Sequence, residues 1–168
     1  MKVLTTHCVA AAVVAAFAAT AHAANTAQDS KQGGKDFISI KQSKLKWQDA
    51  PSIGPGAKMV ILEGDPKGSG PFTMRIKAPA NTKIGVHTHP TDERVTVLEG
   101  TLYFATGDKF DRRKAEAYNR GDGFIVPQGM PMYAYTGDKP ATLQLNGLGP
   151  WGISYMDAKD DPMKSAAR

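Results

Sequence analysis

Residues 81–100 read NTKIGVHTHPTDERVTVLEG, and the fold turns on how this stretch is read. On an extended strand, residues two apart point to the same face, about 6.6 Å apart from two rises of about 3.3 Å. His87 and His89 therefore offer both imidazoles to one side. Pro90, Thr91 and Asp92 turn the chain, and in the strand that follows Glu93, Val95 and Val97 share one face while Arg94 and Thr96 share the other. A carboxylate thus enters an otherwise apolar interior, with no Lys or Arg on its own face of the strand. Burying a charge is costly unless something of opposite sign meets it, and a divalent metal would resolve that cost. Two histidines and one carboxylate form a facial triad that leaves coordination positions open for a substrate or for dioxygen.

Outward from this stretch, short β-type runs alternate with Gly, Pro, Asn and Asp: 58–62, 72–78, 94–98, 101–105, 123–126, 132–136, 141–145 and 153–156. Many short strands at close spacing predict an all-β sandwich or barrel. The segment 111–118 (DRRKAEAY) has a helical look but is short and polar, and is expected as a turn of helix within a surface loop. No internal repeat is visible. The barrel is expected over 37–156, and the charged segment 157–168 with Pro162 as a flexible tail.

Towards the N-terminus, Lys2 precedes the apolar run 9–19 (VAAAVVAAFAA), and Ala21-His22-Ala23 follows. That order predicts a signal peptide over 1–23, cleaved after Ala23, and hence a periplasmic or secreted protein that keeps no membrane segment. The polar stretch 24–36 is expected to be a disordered leader. Cleavage removes Cys8, the single cysteine, so the mature chain forms no disulfide and its stability must come from its core. It also removes His7 and His22, leaving His87 and His89 as the whole histidine complement. The formal charge of +5 is spread among acids with no aromatic-basic stripe, which argues against a nucleic-acid partner.

With these residues in place the chain resembles the cupins. In that family a glycine-led motif supplies His, His and Glu, and a second motif supplies a further His. The first is similar to residues 81–100, with Asn81 in the leading glycine's position; Asn also tolerates the left-handed backbone such a turn requires. The second is similar to residues 121–132 (GDGFIVPQGMPM). The stretches 62–66 and 147–150 look like those of small exported single-domain cupins. The resemblance implies a jelly-roll β-barrel and a divalent metal (Fe, Mn, Ni, Zn or Cu) on His87, His89 and Glu93, and it suggests a homodimer. The family's last metal-binding histidine would fall at 132, where this chain has Met132. Three arrangements follow: a three-ligand site completed by water, a site in which the Met132 sulfur binds a soft ion such as copper, or a barrel without metal.

Around that centre, Val95, Gln144 and Tyr103 are the candidates to line a pocket. Tyr133 and Tyr135 should face away from Met132, and Trp47 and Trp151 should plug the barrel ends or form an intersubunit contact. The expected function is a metal-dependent enzyme, dioxygenase-like or an isomerase or lyase, acting on a small organic molecule. The alternative is a non-catalytic cupin that binds a small ligand or copper. An acid–base enzyme would need a second protic group near the metal, and Gln144, Tyr103 and Tyr135 are the candidates.

Overall fold

The computed structural model describes residues 37–165; the signal peptide and the leader expected at 1–36 lie outside them. The described residues hold eleven strands: β1 (Gln48–Asp49), β2 (Lys58–Glu63), β3 (Pro71–Ala78), β4 (Lys83–Thr88), β5 (Glu93–Glu99), β6 (Thr101–Thr106), β7 (Glu116–Asn119), β8 (Gly123–Val126), β9 (Met132–Thr136), β10 (Ala141–Leu148) and β11 (Ser154–Tyr155). They form two antiparallel sheets, ordered β1-β2-β3-β10-β5-β8 and β11-β4-β9-β6-β7, as in a jelly roll. Sequence neighbours β4 and β5 lie in different sheets, so the Pro90-Thr91-Asp92 turn joins one sheet to the other.

Alternation sets each strand's inner face. In β3, Phe72, Met74, Ile76 and Ala78 are buried, and in β5, Glu93, Val95 and Val97 are. Together with Leu143 and Leu145 of β10 they contribute to one core with Ile84, Leu102, Phe104, Met132 and Ala134 of the other sheet. Each large apolar side chain taken out of water here stabilises the fold by about 1.5–3 kcal/mol. Asn81 adopts φ 58°, the left-handed turn conformation its motif position requires. Gly100 has φ 74°, and a Cβ there would collide with the Pro140 carbonyl.

One local reading differs from the expectation. Residues 111–118 form a single 3₁₀ turn (Arg112–Lys114) and then β7, which pairs along β6 from Thr101↔Asn119 to Phe104↔Glu116. Tyr118 packs edge-on against Phe104 and Phe124, so tertiary pairing overrides a weak helical propensity. In β9 all five residues are buried, with Tyr133 and Tyr135 facing away from Met132 as expected. Loop 107–115 covers the outer face: Phe110 packs on Tyr133 and Tyr135, and the Tyr133 hydroxyl donates to the Asp111 carbonyl at 2.9 Å. The tyrosines turn away from Met132, onto this second small core. The segment 157–165 ends in a one-turn helix (Pro162–Ser165), and Asp160 sits over Gly85 and bonds Lys83 at 2.7 Å.

Candidate metal centre

Each element delivers one part of the site. Between Ile84 and His87 the β4–β9 register shifts, a bulge that re-aims the strand just before the first histidine. Within it the His87 Nδ1–H donates to the Gly85 carbonyl at 2.7 Å. The His89 Nδ1–H donates to the Gly152 carbonyl at 2.6 Å. A carbonyl only accepts, so both rings carry their proton on Nδ1 and keep the Nε2 lone pair, the tautomer a metal ligand needs. The ring centroids are 5.0 Å apart. Glu93, 6% exposed, enters from the facing sheet and places Oε1 3.5 Å from His89 Nε2. The turn between them is fixed by the second motif, whose Gln128 N–H donates to Asp92 Oδ1 at 3.0 Å and whose Gly129 N–H donates to the His89 carbonyl at 3.0 Å.

The surroundings favour neutral forms. Burial lowers the His87 pKa to about 4, with the Gly85 bond opposing and neighbouring His89 adding to the fall. Burial also lowers that of His89. Burial raises Glu93 to about 7, opposed by a hydrogen bond from Trp151. The His89–Glu93 contact is therefore a meeting of two groups pushed towards neutrality, not an ion pair. Among the described residues no three His, Cys, Asp or Glu side chains stand preset around one point. What fits an ion is the donor chemistry: two imidazole lone pairs, and a buried carboxylate with no Lys or Arg in the pocket to meet it.

These three side chains line one pocket with Val95 and Met132. Met132 is 2% exposed and pairs across the ladder with His87, so the expected fourth position does adjoin the site. Gln144 and Tyr103 do not. The Gln144 side chain accepts from Arg75 Nε at 3.1 Å, and Tyr103 stacks on Tyr135 at 4.7 Å beneath the outer loop. Their alternation is opposite to that of Leu143 and Leu145 and of Leu102 and Phe104, which take the inner face.

The contribution that no local pattern signals comes from residues 151–155. Trp151 stacks on His89 (4.9 Å, 18°) and donates its indole N–H to Glu93 Oε1 at 3.2 Å, Gly152 supplies the carbonyl for His89, and Tyr155 packs against His87 at 5.8 Å. Trp47 is remote from this, with the Lys77 ammonium 4.3 Å over its ring.

The cupin family model matches residues 66–147, a span that holds both motifs. Germin-like protein 8-2 of Oryza sativa subsp. japonica is 42% identical over 60 residues, 33% of this chain and 27% of that one. The chain spans about a third or less of the length of the curated relatives it matches. Among solved structures, the polyketide cyclase RemF from Streptomyces resistomycificus superposes with a TM-score of 0.63 at 16% identity, covering 79% of this chain and 94% of that one. An RmlC-like cupin from Shewanella frigidimarina gives 0.53 at 19%, covering 67% and 90%. With the motif residues, the two-sheet topology and these matches in agreement, the chain belongs to the cupin superfamily.

Proposed function

We propose that the mature chain is an exported, metal-dependent cupin enzyme that oxygenates a small organic molecule, with His87, His89 and Glu93 holding one divalent ion. The observation that carries this reading is that two imidazoles with their Nε2 lone pairs free and a buried carboxylate line one pocket in which no cationic side chain answers the carboxylate. When bound, the ion supplies Lewis-acid or redox chemistry at its open positions. The chain's own part is to hold the imidazoles in the Nδ1–H tautomer, to fix the carboxylate through Trp151, and to surround the site with hydrocarbon.

Oxygenation is preferred over isomerisation or elimination because the pocket holds no protic side chain beyond the three donors and the Trp151 indole. Acid–base chemistry needs such a group within hydrogen-bond reach, and Gln144, Tyr103 and Tyr135 are turned outward. The same feature supports a second reading, a non-catalytic receptacle, in which Met132 beside His87 would favour copper.

Metal content of the protein purified from its own exported compartment, for the wild type and His87→Ala, separates these. Near-stoichiometric iron, manganese, nickel or zinc that is lost in the variant supports the enzyme. Copper supports the second reading. No metal in either protein, with equal thermal stability, removes both. N-terminal sequencing of the same sample should begin at Ala24.

A further inference from the structure

We propose that the pocket selects ligands with a single ligating head and a hydrocarbon remainder, carrying at most one negative charge. This rests on the metal-holding reading above. Sixteen residues line the pocket, and apart from His87, His89, Glu93 and the Trp151 indole every side chain is hydrocarbon or thioether, among them Ile76, Leu102, Phe104, Leu143, Leu145 and Ile153. The indole N–H is already given to Glu93. A ligand's second polar group therefore meets no side-chain partner, and a buried polar group left without one is strongly disfavoured. Polyols and sugars are excluded on this ground.

Charge narrows the class further. A divalent ion with the Glu93 carboxylate and two neutral imidazoles carries one net positive charge, which one anionic head neutralises. A second anion too distant from the head to share the ion would lie against apolar side chains, with no Lys or Arg in the lining. Size sets the last bound: the cavity measures about 50 Å³, against ~10–15 Å³ on the same measure for one water molecule. A head with a short carbon chain fills it.

The test uses the mature wild-type protein loaded with Co(II), whose visible absorption reports both loading and ligand exchange. Propionate is paired with succinate and butyrate with glutarate, whose second carboxylate lies too far from the first to form a small chelate ring on the ion. In the protein the monocarboxylate of each pair should bind at least about tenfold tighter, and butyrate about three- to fourfold tighter than propionate, as one buried methylene implies. Ile153, a half-buried lining residue, offers the converse: Ile153→Lys should raise dicarboxylate affinity at least about tenfold. Dicarboxylates binding the wild type as tightly as their partners would overturn the selectivity while leaving the metal site standing. Absence of a Co(II) spectrum sensitive to His87→Ala would remove the metal reading and this inference together.

Discussion

The indole N–H of Trp151 donates to Glu93 Oε1 at 3.2 Å while the same ring lies flat against His89, 4.9 Å between centroids. One residue outside both motifs thus fixes the carboxylate and one imidazole together. Trp151→Phe keeps an aromatic ring and removes the donor. Outer partners of this kind change metal affinity by about 10–100-fold, and the variant should fall in that range. Because the bond lowers the Glu93 pKa, its loss should also move the pH midpoint of metal binding upward. Metal titrations of both proteins across pH check both effects; a merely structural tryptophan would weaken binding without moving the midpoint.

Metal affinity itself should depend on pH in a defined window. Glu93 takes a proton below about 7, whereas His87 resists protonation down to about 4. Below about 7 the Glu93 proton competes with the ion, so affinity should rise by at least about tenfold per pH unit on the acid side and level off above 7. Glu93→Gln should bind far more weakly and lose the slope. Competition with a chelator of known affinity at several pH values measures this.

In the metal-free protein the same carboxylate acts in the opposite sense. Its pKa is raised from 4.5 to about 7, so the folded form binds the proton more tightly than the unfolded chain does. Stability present below pH 4.5 is lost as pH rises through 7, by on the order of 3 kcal/mol. His87, lowered from 6.5 to about 4, contributes the reverse: stability present above 6.5 and lost as pH falls through 4. Glu93→Gln should therefore raise the Tm of the metal-free protein at pH 8 and leave it nearly unchanged at pH 4. Thermal denaturation after chelation, at both pH values, is the measurement.

The inner ladder was legible because it is written in alternation. Glu93, Val95 and Val97 take one face as the period of two dictates, and Asn81, standing for glycine, has the positive φ its place demands. The same period turns Gln144 and Tyr103 outward, because each lies between two inward residues. The strand at 116–119 was hidden by a polar sequence whose state is set by its pairing with β6. Trp151, Gly152 and Tyr155 were not legible as parts of the site, because their roles arise from long-range contacts such as the 58-residue separation between Trp151 and Glu93.

Asn81 offers a test of the turn alone. At φ 58° a residue with a Cβ and no local hydrogen-bonding group is strained by about 1–2 kcal/mol. Asn81→Ala should destabilise the fold by that order, whereas Asn81→Gly should be close to neutral. Denaturant unfolding of the three proteins decides it, and equal loss in both variants would place the cause in side-chain contacts instead.

Met132 decides what kind of centre this is. It is 2% exposed, lines the pocket and faces His87 across the ladder. If its role is to fill space, Met132→Leu, a swap of similar volume and no ligating power, should retain metal content and cost less than about 1.5 kcal/mol of stability. Met132→His would place a third imidazole where the family resemblance has its fourth ligand. It should tighten binding of a borderline ion such as Zn(II) at least about tenfold while occupying coordination space now open to ligands. Acetate binding to the Co(II) form should weaken in parallel. Loss of metal from Met132→Leu, with copper the ion lost, would instead make the thioether a ligand and turn the reading towards copper binding.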